Sequence, residues 1–241
     1  MAHGPDTDEL LRRLANVRQR YENSEPIALD IYGLQITSLP ELPSYLTQLW
    51  CNYTQITELP PLPDSLRRLD CSHTQITELP SLPSYLTELW CNYTQITELP
   101  LLPDSLRRLD CNNTQITNLP SLPSSLKKLF CGWTAITELP QLPDSLLELG
   151  CQNTLITELP PLPSSLTWLD CSNCPNLIIK RNKDESIQDY NKRWEEWREE
   201  QASKPRCQSR CLAVKEELMA AAWNPRRVEK WLEIGGFEML D

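Results

Sequence analysis

From residue 46 onward the apolar positions fall in one frame that returns every 20 residues, Leu-x-x-Leu-x-Cys-x-x-Thr-x-Ile-x-x-Leu-Pro-x-Leu-Pro. One copy places Leu46, Leu49, Cys51, Ile56, Leu59 and Leu62 at its inward positions, and the equivalents recur as far as Leu166, Leu169 and Cys171. Within each copy Leu49 and Cys51 alternate with Trp50 and Asn52. That period of two predicts a short strand with one face buried. Seven cysteines, Cys51 to Cys171, hold one position in this frame. A narrow interior suits such a small, soft, apolar side chain. A fixed period over most of a chain predicts stacked identical turns, with strands of successive turns pairing in parallel. The return leg carries Pro60 and Pro63. Prolines lock φ and remove donors, so an extended, polyproline-like leg is expected in place of a helix.

Two refinements follow from the same pattern. Residues 26–40 match the frame weakly, with Leu29, Ile31, Leu34, Ile36 and Leu39 at its apolar positions, which makes a degenerate first turn and eight turns in all. Residues 41–80 and 81–120 are almost identical, so the unit of duplication is two turns and the surface residues alternate with it. A solenoid end would leave apolar surface and strand edges bare, so caps are required. Asp6 to Glu9 reads as a capping box, and Leu10, Leu14, Val17 and Tyr21 follow at helical spacing, predicting a capping helix over 6–23. After Cys171 a polar linker, Lys180 to Glu185, leads to Ile187, Tyr190, Trp194 and Trp197 on one helical face, closed by Pro205. Further helices are predicted over Leu212 to Trp223 and from Asn224-Pro225 to Gly235-Gly236. The expected organisation is a capping helix over 1–25, a solenoid over 26–177 and a helical region over 178–241.

The frame resembles the leucine-rich repeat in its shortest, bacterial-type form. That resemblance implies a curved solenoid with short parallel strands on the concave face, an extended convex side and helical caps at both ends. It also implies a protein-binding role. Thr54, Thr74, Thr94, Thr114, Thr134 and Thr154 stand where the family usually carries an asparagine ladder. Their hydroxyls are expected to satisfy backbone groups in the turn after each strand. The tail, Lys215 to Leu232, resembles a C-terminal segment common in proteins of giant DNA viruses that infect amoebae; Asn224 departs from the histidine more often found in it. The resemblance implies a viral protein of the host cytoplasm, with a packaging or targeting role that extends to the virion.

Charge and composition narrow the function. A formal charge of −10 argues against nucleic-acid binding. No apolar run is long enough for a membrane span, and no secretory signal is visible. Most of the 10 cysteines fill one core position, which reads as packing in a reducing compartment and not as a disulfide framework. Only His3 and His73 are present and no phosphate-cradling glycine loop occurs, so no catalytic residue, cofactor or metal is expected. The one zinc arrangement to weigh, Cys171 and Cys174 with Cys207 and Cys211, is disfavoured because Cys171 belongs to the core column and the second pair has helical spacing.

The candidate site is the concave face. One column there reads Asp30, Trp50, Asp70, Trp90, Asp110, Phe130, Gly150, Asp170, and its neighbour reads Gly33, Tyr53, His73, Tyr93, Asn113, Trp133, Asn153, Asn173. Arg68 and Arg108 flank them. Trp, Tyr and Arg dominate interface hot spots, and an aromatic stripe in water marks a contact site. The expected partner-binding set is therefore Trp50, Tyr53, Arg68, Asp70, His73, Trp90, Tyr93, Arg108, Asp110, Phe130 and Trp133. The structural alternative has Arg68 pairing with Asp70 and Glu88 across the face. Two other functions compete: a substrate-recognition adaptor for ubiquitination, since the repeat also resembles those of bacterial effectors carrying a ligase domain, and a virion assembly component. Trp194 and Trp197 also admit pairing of two copies through the C-terminal helices.

Overall fold

The computed structural model describes residues 5–22, 27–182 and 184–203. The predicted helices over Leu212 to Trp223 and beyond Asn224, and the Lys215 to Leu232 segment, lie outside these. Helix α1 spans Pro5–Glu22. Eight three-residue strands follow: β1 Ala28–Asp30, β2 Gln48–Trp50, β3 Arg68–Asp70, β4 Glu88–Trp90, β5 Arg108–Asp110, β6 Lys128–Phe130, β7 Glu148–Gly150 and β8 Trp168–Asp170. Helix α2 spans Ile187–Ser203. The chain divides into two compact units, 1–192 and 193–241.

The first unit is a parallel stack. The strands form one sheet in chain order, β1 to β8, joined by seven returns of 17 residues. Register is exact to the period: Leu29 faces Leu49, Leu49 faces Leu69, and so on to Leu169. Each middle leucine is buried, as are Cys51 to Cys171 and Ile56 to Ile156. Leu29 and Ile31 are fully buried too, so the weak first copy behaves as the expected degenerate rung.

Why a three-residue strand suffices is clear from what surrounds it. Each turn leading into β2 to β8 opens with an i to i+3 bond, as in Leu46 N–H to the Pro43 carbonyl at 3.0 Å. The strand pairing then continues past the strand, with Cys51 N–H on the Asp70 carbonyl at 2.8 Å and Tyr53 N–H on the Ser72 carbonyl at 3.1 Å. A second backbone ladder runs along the return leg, where Gln75 N–H reaches the Ile56 carbonyl at 3.0 Å and Gln95 N–H the Ile76 carbonyl at 3.0 Å.

Side chains complete the turn. The threonine hydroxyls do what the sequence suggests: Thr54 Oγ1 donates to the Cys51 carbonyl at 2.7 Å, and the same bond recurs at each threonine to Thr154. A serine ladder accompanies it. Ser65 Oγ lies 2.8 Å from the Ser44 carbonyl and 2.6 Å from the Leu46 carbonyl, tying each turn to the one before, and Ser105, Ser125 and Ser145 repeat the arrangement. Four thiols, Cys51, Cys71, Cys91 and Cys111, also point along the stack, as Cys51 Sγ to the Asp70 carbonyl at 3.3 Å and Cys71 Sγ to the Trp90 carbonyl at 3.4 Å.

The ends are closed as needed, with one departure. Leu10 and Val17 of α1 are buried, and Tyr21 stacks on Tyr45 at 4.1 Å. The capping box is not what Asp6 and Glu9 form. Pro5 already opens the helix; Asp6 Oδ2 accepts from Gln35 N–H at 3.0 Å, and Glu9 pairs with Arg12 and Arg13 at 2.7 Å. Those two guanidinium hydrogen bonds lower the Glu9 carboxyl to about 2. At the far end the segment read as a linker does structural work. Arg181 Nη1 donates to the Leu169 carbonyl at 2.9 Å, on the otherwise open side of β8, and Tyr190 is fully buried with its hydroxyl on the Ile179 carbonyl at 2.6 Å. The second unit opens within α2, where Trp194 is buried, Trp197 meets its ring edge-on at 5.5 Å and Arg198 lies over it at 5.6 Å.

Candidate functional site

The residues on either side of each middle leucine turn outward, because alternate strand positions face opposite sides. Trp50 and Trp90 are half-buried and meet at 5.6 Å across the short side chain of Asp70. Two-turn duplication thus brings like aromatics together over an intervening carboxylate. Arg108 continues the line, with its guanidinium 5.3 Å from the Trp90 ring and 5.2 Å from the Phe130 ring. Phe130 in turn lies 5.9 Å from Trp168. That last contact needs Gly150, since a Cβ there would stand 2.9 Å from Phe130 Cδ1 and 3.3 Å from Trp168 Cζ3. The outcome is a continuous stripe: Trp50, Trp90, Arg108, Phe130, Trp168.

The neighbouring column lies in the turn that leaves each strand. Tyr53, His73, Tyr93, Asn113, Trp133, Asn153 and Asn173 all have φ between 53° and 57°, and Gly33 has φ of 72°. This is the left-handed region, where a bulky side chain meets the following carbonyl. Three of its rings stack, Tyr53 on His73 at 4.1 Å and His73 on Tyr93 at 4.3 Å, and Tyr32 beside the column meets Tyr53 tilted at 5.3 Å. Trp133 stands 49% exposed and has no ring neighbour among the described residues.

The charged members of the predicted set divide. Arg68 Nε sits 3.3 Å from Glu88, so the cross-strand pairing alternative holds for that contact, and Lys128 pairs with Glu148 at 2.7 Å. Asp70 and Asp110 serve the backbone. Asp70 Oδ1 accepts from Ser72 N–H at 3.0 Å, and Asp110 Oδ1 from Asn112 N–H at 3.3 Å. Burial raises the Asp110 carboxyl, against the pull of the Asn112 amide and of Arg108 3.9 Å away. Arg108 Nε is buried with no hydrogen-bond partner among the described residues.

The comparisons with known proteins agree with this geometry. The family model described as leucine-rich repeats (2 copies) matches residues 64–104. The LRR domain of a Shigella effector is 34% identical, with a TM-score of 0.60, over 66% of this chain and 71% of that one. The chain belongs to the leucine-rich repeat family. YopM from Yersinia pestis, a leucine-rich effector protein, is 31% identical with a TM-score of 0.63 over 72% of this chain. YopM from Yersinia enterocolitica is 34% identical with a TM-score of 0.51 over 57% of this chain. This leucine-rich repeat protein spans only 35% of the Yersinia enterocolitica chain and 52% of the Yersinia pestis chain. No curated protein matches it.

Leucine-rich repeat proteins are typically scaffolds for protein interaction. Among the described residues no metal-holding group of His, Cys, Asp and Glu occurs, and no helix is long and apolar enough to cross a membrane. Cys171 and Cys174 are both buried; Cys171 Sγ faces the Tyr190 hydroxyl at 3.8 Å and Cys174 Sγ the Cys151 carbonyl at 3.2 Å.

Trp168 is absent from the sequence-derived set because it sits two positions before the aromatic column, where the other rungs carry Gln48, Arg68, Glu88, Arg108, Lys128 and Glu148. The missing side chain at Gly150, in an otherwise aromatic or acidic column, was the available signal. Gly132 has a related role. Gln152 folds back over it, so a Cβ at 132 would stand 2.7 Å from Gln152 Cδ and 2.8 Å from its backbone oxygen. Because backbone must move, Gly132→Ala is expected to destabilise the fold by about 1–3 kcal/mol, read from urea unfolding midpoints. An unchanged midpoint would show that the Gln152 placement is not required.

Proposed function

We propose that the protein is a non-enzymatic binding module that seats a protein partner on its strand face. The stripe from Trp50 to Trp168 forms the floor, and Tyr53, His73, Tyr93 and Trp133 form the rim. One observation carries this reading. The left-handed turn position is filled by Asn113, Asn153, Asn173 and Gly33 in half of the rungs, residues that suit it, yet by four rings in the others. Backbone strain held at the surface, in rings of which Tyr53, Tyr93 and Trp133 are about half exposed, is a mark of a contact site. The resemblance of Lys215 to Leu232 to giant-virus proteins supports a viral protein acting in the cytoplasm of an infected amoeba, on a host or viral target.

The test is affinity capture from infected amoebal lysate, comparing the native protein with the Trp50→Ala, Trp90→Ala, Trp133→Ala variant. Each buried aromatic anchor contributes about 2 kcal/mol, so the triple variant is expected to lose its partner entirely. Thermal unfolding by circular dichroism checks that the solenoid is intact. Undiminished capture by a folded triple variant would reject the strand face. Mass spectrometry of purified particles tests the assembly reading: a stoichiometric amount in virions would favour it.

A further inference from the structure

Every lysine and arginine between positions 31 and 177 stands in the two columns that lead into the strands: Arg67, Arg68, Arg107, Arg108, Lys127 and Lys128. The same stretch holds 14 carboxylates. Nine of these lie away from the strands, in the Glu58 and Asp64 columns and at Glu41. The stretch is acidic, yet its positive charge is gathered on one flank of one face.

The five carboxylates on that face already have partners. Glu88 and Glu148 pair with Arg68 and Lys128. Asp110 faces Arg108 and the Asn112 amide, and Asp70 and Asp170 accept from the amides of Ser72 and Ser172. This leaves Arg67, Arg107 and Lys127, all exposed and without an ion pair among the described residues. Arg67 is held by the Tyr85 ring 5.4 Å away. The three free cations run beside the aromatic stripe along the stack.

Resting on the binding reading above, we propose that the occupant of this face is an extended acidic segment of a protein, lying across β3 to β6. Its carboxylates meet Arg67, Arg107 and Lys127, and its apolar side chains meet the stripe. The spacing suits an extended chain. Rungs stand about 4.8 Å apart, so Arg67 and Arg107 are about 10 Å apart, near the length of three extended residues, and Lys127 is one rung further. The ring geometry separates a peptide from a single-stranded nucleic acid. Bases need open ring faces to stack on. Here Trp50 and Trp90 pack on each other and Arg108 lies over Trp90 and Phe130, so these ring faces of the stripe are already engaged.

The probe is a short fluorescein-labelled peptide repeating Glu-Asp-Phe, against a neutral peptide repeating Gln-Asn-Phe and a labelled oligo-dT, followed by fluorescence anisotropy on the full chain. The acidic peptide is expected to bind about tenfold more tightly than the neutral one, the combined effect of three exposed ion pairs, and to weaken as salt is raised. The exposed triple variant Arg67→Glu, Arg107→Glu, Lys127→Glu removes that preference while keeping its thermal unfolding midpoint. Equal binding of acidic and neutral peptides, with both lost in the Trp50→Ala, Trp90→Ala, Trp133→Ala variant, would overturn the acidic occupant and leave the binding face standing. Tighter binding of oligo-dT would overturn the peptide. If neither peptide binds and lysate capture is indifferent to the tryptophans, the binding face itself fails.

Discussion

The solenoid is expected to unfold in one steep step as the pH passes from about 8.5 to about 10, the range in which an exposed thiol loses its proton. Burial raises the thiols of Cys51, Cys71, Cys91, Cys111, Cys131 and Cys151, with Cys131 pushed up to about 12. The causes are the same in each: a fully dry interior with no cation, and neighbouring thiols or strand aspartates that oppose a second negative charge. The sign is fixed by linkage. A thiol whose folded value lies above its unfolded one stabilises the fold fully below about pH 8.5, and that stabilisation drains away as pH rises toward the folded value. Each thiol then contributes a loss of about 1.4 kcal/mol per pH unit, so six together lose about 8 kcal/mol for each pH unit, comparable with the whole stability of a domain. Far-UV circular dichroism and thiolate absorbance measured along a pH series should change together. Cys71→Val with Cys111→Val removes two of the six, and the alkaline slope should fall by about a third. A fold that survives well past the thiol range, or a slope unmoved by the two valines, would show that the sulfurs are not confined as the structure has them.

The cysteine column was legible because its period and its strand alternation agree. Leu49, Cys51 and Ile56 recur at one spacing, and only stacked parallel rungs bury all of them at once. The threonine bonds were legible for the same reason, as a polar position beside a turn must serve that turn. The serine ladder was not read, since Ser65 alternates with Tyr45 and Tyr85 and so looks like surface variation. Asp6 was misread because local spacing cannot show that the Gln35 amide, 29 residues away, competes for its carboxylate. In the site, the sequence brought the aromatics to one face but not into contact. Direct packing of Trp50 on Trp90 depends on Asp70 being short and turned to Ser72, and Trp168 joins only through the gap at Gly150. The left-handed column had a signal that went unread: Gly33, Asn113, Asn153 and Asn173 at one repeat position are the residues such a backbone prefers.

That same column yields a second large effect, in which stability and binding should move in opposite directions. A non-glycine side chain in the left-handed region costs roughly 1–2 kcal/mol, and asparagine eases it through local hydrogen bonding. Asn113, Asn153 and Asn173 show that asparagine adopts this turn here, at φ of 53° to 55°. The aromatic residues offset the strain only if their rings gain elsewhere. Tyr53 and Tyr93 do, through parallel stacking on His73 at 4.1 and 4.3 Å. Such contacts contribute about 0.5–1.5 kcal/mol, so Tyr93→Asn should leave stability nearly unchanged. Trp133 lacks a ring neighbour among the described residues and is half exposed, so Trp133→Asn should stabilise the solenoid by about 0.5–1 kcal/mol, read from its urea midpoint. Both substitutions should nevertheless weaken partner capture, by about 30-fold for an anchor of hot-spot strength. A residue retained for the fold cannot behave this way, because removing it would lower the midpoint. If Trp133→Asn destabilises, or stabilises and still captures the partner at native strength, the rim has no binding role and its rings are surface variation on a turn built for asparagine.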